Sequence, residues 1–292
     1  MLGVELFDSR ASAISMSDGG QVVKRASVEA RDDLGAAAVA ALDQVRDGKS
    51  DSVGVASATP DAPAIATAVV AIGKRFPGVA SAATTSGMAA AVAESWLGVG
   101  RGFKDVVFFA VAEHATGGIV RDGSPIDGGH RRVASVAWLA LNPVEREDYR
   151  RIGCLEAEVA AAGIVRRLIW RIKSGDHSSV QRAAGGNLSA ITVEQILQAA
   201  RAGDGVSVSI VRDTAKYLGM AAANLIVITD PQILVVGGLM ASAADLFLEP
   251  MRAETSRRLP KPMLDGVTIA PAAFTDDAPA IGAARLAAVA VR

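Results

Sequence analysis

The stretch Ala223-Asn224-Leu225-Ile226-Val227-Ile228-Thr229-Asp230-Pro231-Gln232-Ile233-Leu234-Val235-Val236-Gly237-Gly238 constrains the fold more than any other. A helical segment ends near Thr229, because proline disfavours the α region for the residue before it. Ile233 to Val236 is an unbroken apolar run, the pattern of a strand buried on both faces. Gly237-Gly238 follows, where backbone turns sharply or comes close to a ligand. A helix, a buried strand and a glycine pair in that order point to an α/β nucleotide fold.

The rest of the chain repeats one plan. Strands are expected at Gly3–Phe7, Ala11–Met16 and Gln21–Val28, separated by Asp8-Ser9-Arg10 and the turn Ser17-Asp18-Gly19-Gly20. Helix Asp33–Val45 follows, with Asp32 or Asp33 as N-cap, then strand Ser52–Ser57, helix Pro60–Arg75, strand Val79–Ala83 and helix Ser86–Leu97. The pattern restarts with strands at Asp105–Val111, Gly117–Val120 and Ala134–Leu141. Helices are expected at Glu156–Ile172, Val193–Ala202 and Ser207–Val227. After the Ile233 strand come a helical region Ala241–Leu259 broken at Pro250, strand Val267–Pro271 and helix Pro279–Val291. Two lobes are expected, 1–104 and 105–278, with the helix at about 279–292 packing back on the first.

With 292 residues, 50 % of them apolar and 4 % aromatic, the core must be built from Ala, Val, Leu and Ile. Thirty basic against thirty-one acidic side chains, in no like-charge block, give no reason to expect a nucleic-acid or membrane partner. A single cysteine excludes an internal disulfide and fits a reducing cytoplasm. No secretory leader is read at the N-terminus, so a cytoplasmic protein is expected.

Five short motifs carry a family resemblance, and most depart from its chemistry. Gly3-Val4-Glu5-Leu6-Phe7-Asp8-Ser9-Arg10 stands where an acidic residue and a phosphate-cradling glycine turn are expected, with Phe7 and Asp8 in place of two glycines. Thr85-Ser86-Gly87-Met88-Ala89-Ala90-Ala91 stands where N-D-A-N-A-A-A supplies a general base, with Ser86 at the base position. Ala112-Glu113-His114-Ala115-Thr116-Gly117-Gly118 keeps only the last two glycines of a second phosphate loop. Val133-Ala134-Ser135-Val136-Ala137-Trp138 replaces A-G-E-I-G-H and reads as a buried strand. Glu147-Asp148-Tyr149-Arg150-Arg151-Ile152-Gly153-Cys154-Leu155-Glu156 replaces a zinc loop, keeping one thiol and the terminal glutamate.

In order and spacing these words resemble the ROK family of sugar kinases and sugar-responsive repressors. The resemblance extends from Gly3 to the C-terminus, where Asp276-Asp277-Ala278-Pro279-Ala280-Ile281-Gly282-Ala283-Ala284 fits well. It implies a two-lobed α/β fold of the actin-like ATPase (ribonuclease H-like) type and a homodimer. No helix-turn-helix of the family's repressors is read before Gly3. Between Gly54 and Thr85 the chain is shorter than the family pattern, at the loop that closes over sugar.

The departures set the functional expectation: a ROK-like protein that is catalytically inactive or impaired and binds a small carbohydrate-like ligand or a protein partner. No cofactor is expected. The alternative is an ATP- and magnesium-dependent sugar or amino-sugar kinase with a relocated base such as Asp8 or Glu113. Gly117, Gly118, Gly237 and Gly238 are the candidate cofactor-binding positions, although Gly117-Gly118 also suits a tight hairpin turn. Glu156 is the candidate sugar contact, or equally a carboxylate favouring a helix N-terminus. Ser86 is too weak a base near neutral pH and is expected as the N-cap of its helix.

One thiolate cannot build a tetrahedral site, so no zinc is expected and Cys154 reads as a half-buried apolar residue. His114, His130 and His177 lack metal-ligand spacing. Val165, Leu168, Ile169 and Ile172 form a core-facing stripe, and Arg166, Arg167, Arg171 and Lys173 are expected to make a solvated basic face.

Overall fold

The computed structural model describes residues 1–48, 50–58 and 63–290. The expected helix start at Pro60 and helix end at Val291 lie outside the described residues. Two compact units are present. The first comprises Met1–Phe108, Thr116–Ala134 and Ala272–Arg292, the second Phe109–Ala115 and Ser135–Pro271.

The strands are β1 (Leu2–Leu6), β2 (Arg10–Met16), β3 (Val22–Glu29), β4 (Ser52–Ser57), β5 (Ala80–Thr85), β6 (Val106–Val111), β7 (Ala115–Arg121), β8 (Ser124–Pro125), β9 (Ile233–Gly238) and β10 (Thr268–Pro271). The helices are α1 (Leu34–Val45), α2 (Pro63–Arg75), α3 (Ser86–Trp96), α4 (Glu147–Ile152), α5 (Cys154–Val159), α6 (Ala161–Lys173), α7 (Ser179–Ala183), α8 (Val193–Arg201), α9 (Gly205–Thr229), α10 (Leu239–Ser242), α11 (Ala244–Arg258), α12 (Lys261–Leu264) and α13 (Ala278–Ala290). Two five-stranded sheets run in the orders β3-β2-β1-β4-β5 and β10-β9-β6-β7-β8. This is the mixed α/β architecture that the sequence implies.

In the first sheet the hairpin strands β1, β2 and β3 are antiparallel, whereas β1, β4 and β5 are parallel. Strand periodicity divides β1 between two environments. Leu2, Val4 and Leu6 join α1 and α2 in a core with Leu42, Val55 and Ile72. Gly3 and Glu5 take the opposite parity, and Gly3 lies against α13, where a Cβ would meet the Ala280 carbonyl oxygen at 1.9 Å. That parity puts Glu5 on the face where α3 begins. Helix α1 is capped by Asp33, whose carboxylate accepts from the Gly35 and Ala36 N–H groups.

Buried Glu94, on α3, has no apolar explanation. Its two carboxylate oxygens accept from the backbone N–H groups of Val99 and Phe274, fixing the helix exit to the segment before α13.

In the second unit α9 is 25 residues long and packs against α11, α8, α6 and α5. It ends as expected at Asp230-Pro231, with Asp230 in the left-handed region (φ 44°) and its N–H donating to Ile226. Aspartate tolerates that conformation.

Three expected elements differ. The helix expected over Glu156–Ile172 is broken at Ala160, whose backbone is extended, and α5 and α6 fold tightly together because Gly163 lacks the Cβ that would meet the Ala157 oxygen at 2.3 Å. The helical region after β9 is interrupted at Ala243, not Pro250, and α11 continues through that proline. The strand expected over Ala134–Leu141 is absent. Ala134 adopts φ 57° and Val136–Trp138 forms a single 3₁₀ turn, so the chain cannot extend there.

Asp204 fixes another junction. It caps α9 through the Ser207 N–H and also accepts from the Ser179 N–H and the Ser178 and Ser179 hydroxyls. Burial opposes ionisation of this carboxyl, but the donors outweigh it and hold it at about 2, below the ordinary 3.8. A depressed folded pKa contributes stability above the unfolded value that is lost as pH falls through the folded one. Asp204→Ala should therefore cost about 1–2 kcal/mol at pH 7. The gap between variant and wild type should close between pH 4 and pH 2 in urea titrations. A gap that persists undiminished at pH 2 would contradict this account.

Candidate functional site

In the first unit, the parity of β1 brings Glu5 to the start of α3. Ser86 donates its hydroxyl to Glu5 Oε1 at 2.7 Å, and both residues are buried, at 3 % and 6 % exposure. Ser86 is therefore not the N-cap. That role belongs to Thr85, whose extended backbone ends β5 and whose hydroxyl accepts from the Met88 N–H at 3.1 Å.

The turn after β1 is closed on itself. The Phe7 N–H donates to the Arg10 carbonyl at 2.9 Å, and the Arg10 guanidinium lies 3.9 Å from the centre of the Phe7 ring. Asp8 lines an open cavity with Arg31, Asp32, Asp33, Gly35 and Thr67. Three carboxylates against one guanidinium oppose a polyanion.

The β6–β7 connection is also internally satisfied, with the Ala112 N–H donating to the His114 carbonyl at 2.9 Å. Beside it, Glu156 accepts from the Ala115 N–H at 2.8 Å and lies 3.1 Å from His114 Nδ1. Glu156 thus anchors this connection to α5. Gly117 and Gly118 do not form the expected hairpin turn. They lie within β7, where Gly87 at the start of α3 rests on the strand: a Cβ on Gly87 would meet the Gly117 oxygen at 2.1 Å. Gly238 ends β9 at φ 61°, with the Val111 oxygen 2.1 Å from where its Cβ would be. Close backbone packing accounts for glycine at 87, 118 and 238.

A cavity of about 180 Å³ adjoins the start of α3 in the first unit. Ile65, Ala83, Thr84, Thr85 and Met88 form one wall, and Asp127, His130, Arg131 and Val133 the other. Ser86 is not among its lining residues.

The segment expected as a buried strand is instead largely exposed at Ser135 and Trp138, the latter at 56 %. In the second unit the zinc-loop equivalent is held by charge. Arg146 pairs with Asp148 and Glu158, Arg166 pairs with Asp148 and donates to the Ala157 carbonyl, and the Tyr149 hydroxyl donates to Glu158. Burial, with the Glu158 carboxylate, pushes the Tyr149 hydroxyl up to about 12. Burial opposes ionisation of Asp148, but Arg166 and Arg146 outweigh it and hold its carboxyl below the usual range.

Cys154 is fully buried beside Tyr149 and Ala157, not half-buried. Among the described residues no three His, Cys, Asp or Glu side chains converge in a metal-binding group. The expected solvated basic face holds at the exposed Lys173, but its arginines are engaged. Arg166 is paired as above, Arg167 donates to the Thr214 hydroxyl and Arg171 pairs with Asp176. Helix α6 buries Ile164, Leu168 and Ile172, so its core stripe is centred one residue from the expected Val165 position.

The sequence profile of the ROK family matches residues 68–290. The chain belongs to the ROK family. It is 29 % identical over 196 residues to a glucokinase of Halalkalibacterium halodurans, covering 66 % of this chain and 59 % of that protein. It is 26 % identical over 176 residues to the xylose repressor of Caldicellulosiruptor bescii, covering 58 % of this chain and 42 % of the repressor. These matches span less than two thirds of either relative. A ROK glucokinase from Streptomyces griseus, in complex with glucose and AMPPNP, superposes with a TM-score of 0.84 at 22 % identity over 99 % of both chains. Such likeness establishes the actin-like ATPase fold. No described helix is long and apolar enough to cross a membrane.

Three features bear on magnesium-ATP, the cofactor of the alternative reading. The first turn carries Phe7 stacked under Arg10, and its neighbouring cavity is acidic. The Phe7 and Ala112 N–H groups are already donated within their own turns.

The Glu5–Ser86, His114–Glu156 and Tyr149–Glu158 contacts join residues 81, 42 and 9 positions apart. No spacing rule signals the first two. Only the β1 parity, legible as Gly3 and Glu5 on one face, could have indicated the first.

Proposed function

We propose that this ROK protein binds a small carbohydrate-like ligand in the cavity beside α3 and does not transfer phosphate to it. It works as a homodimeric ligand- or partner-binding protein of the cytoplasm, without ATP or metal. The observation that supports this reading best is the Glu5–Ser86 pair. At the position of the family's general base, a hydroxyl is spent donating to a buried carboxylate. A carboxylate base there typically supplies about 10²–10⁴ in rate, and a serine cannot replace it.

The glucokinase relatives favour the second reading, a carbohydrate kinase with an atypical site. Thermal-shift titrations and an ADP-release assay over a panel of sugars and amino sugars separate the two. At 100 times its dissociation constant, a bound ligand should stabilise the fold by about 2.7 kcal/mol, several degrees in a melt. The expected result is such a shift with a carbohydrate, none with millimolar magnesium-ATP, and no sugar-dependent ADP. A magnesium-dependent shift with ATP would sink the reading and favour the kinase.

A further inference from the structure

The cavity beside α3 is rimmed by exposed charged and polar side chains of one turn. The side chains of Asp127, His130 and Arg131 line it, and none of the three makes a hydrogen bond or ion pair with another described residue. Other arginines of the first unit do have partners, as Arg25 with Asp277, Arg75 with Asp43 and Arg10 with the Phe7 ring.

The segment that presents these groups is also conformationally specified. Gly128 and Arg131 both have left-handed backbones, at φ 71° and 57°, and Ala134 follows at 57°. The Arg131 N–H closes the turn on the Gly128 carbonyl, and a Cβ on Gly128 would strike Val133, itself a cavity residue, at 2.5 Å. Left-handed backbone is costly for arginine and alanine, and it clusters where a binding surface is pre-shaped.

We propose that this cavity takes a monosaccharide-sized polyol bearing one anionic group, a sugar acid or a sugar phosphate. The inference rests on the ligand-binding reading above and specifies its ligand. A volume of about 180 Å³ lies below the roughly 300 Å³ at which drug-sized sites begin. The Arg131 guanidinium is a planar fork of donors that matches a carboxylate or phosphate, and His130 adds a donor beside it. Thr84 and Asp127 offer the hydroxyl and carboxylate that sugar hydroxyls recognise. Asp127 offsets the Arg131 charge, so one anionic group is accommodated and a polyphosphate is not.

Isothermal titration of the full chain tests this with common hexoses, their matching aldonates and 6-phosphates, and inorganic phosphate. An aldonate or a sugar phosphate should bind at least about tenfold tighter than its parent hexose, since charge-assisted hydrogen bonds are roughly twice as strong as neutral ones. Which of the two wins distinguishes the sources of the anion. Arg131→Ala should erase the preference and Arg131→Lys should keep part of it. Because the exposed Arg131 side chain makes no hydrogen bond or ion pair with another described residue, both variants should melt as the wild type does. Equal binding of parent and anionic sugars, or a preference surviving in Arg131→Ala, would overturn the inference alone. Inorganic phosphate binding as tightly as the best carbohydrate would overturn the polyol. Failure of every carbohydrate would overturn both the inference and the reading beneath it.

Discussion

Replacing Gly282 by alanine should cost the protein at least about 3 kcal/mol, enough to lower its melting temperature by several degrees or prevent accumulation of folded protein. A Cβ at that position would sit 1.7 Å from the Ala89 carbonyl oxygen and 2.4 Å from its carbon. These are backbone atoms of α3 and cannot swing aside. The same seam is tight at Gly3 and Gly54, whose Cβ atoms would each lie 1.9 Å from a carbonyl oxygen of α13. One added methyl group must therefore separate α13 from α3 or from the β1–β4 surface. Gly73 provides the contrast. It lies inside α2 with nothing within 4 Å of its would-be Cβ, so Gly73→Ala should stabilise by about 0.5–1 kcal/mol through helix propensity. Denaturant titration of both variants checks the pair. A Gly282→Ala protein within 1 kcal/mol of wild type would show that the seam yields.

That seam also explains why the fold was so legible. Gly282 with its flanking alanines, and the Ile233–Gly238 strand, are sequence words whose only economical use is close packing of a helix on a helix or strand. Alternation in Leu2–Leu6 and the break at Asp230-Pro231 are local signals of the same kind. The misread elements share a different cause. The backbone of Ala134 and Ala160 is set by tertiary contacts, with Gly153 against the Ala137 carbonyl and Gly163 against that of Ala157. Nothing in those alanines announces a turn. The candidate site was less legible again. That a serine and not a carboxylate stands at position 86 could be read directly, but the partner that takes its hydroxyl lies on another strand. Likewise Asp127, His130 and Arg131 look like ordinary turn residues until the Gly128 and Arg131 backbones bring them to one cavity.

Placing an acidic residue at position 86 should not produce sugar-dependent ATP turnover. Ser86 already lies 2.7 Å from the Glu5 carboxylate, in a site closed to solvent. Ser86→Asp would place two carboxylates there, and like charges about 4 Å apart in a partly shielded site repel by about 4 kcal/mol. The pair would have to share a proton or push α3 away from β1. A group whose ionised form is disfavoured in the folded state costs stability only as pH rises above its unfolded value, about 4 for a carboxyl. The destabilisation of Ser86→Asp should therefore be small at pH 4 and fully developed by pH 7. Ser86→Ala removes one hydrogen bond from the buried Glu5 carboxylate and should cost about 1–3 kcal/mol. Neither variant should release ADP with any sugar, because phosphoryl transfer depends on positioning and electrostatics that the closed Phe7–Arg10 turn and its acidic surroundings do not supply. Melts of both variants across pH, with ADP-release assays at pH 7, provide the check. Sugar-dependent ATP turnover by Ser86→Asp would mean that Glu5 yields its place and that the nucleotide site is intact, and the non-catalytic reading would fall.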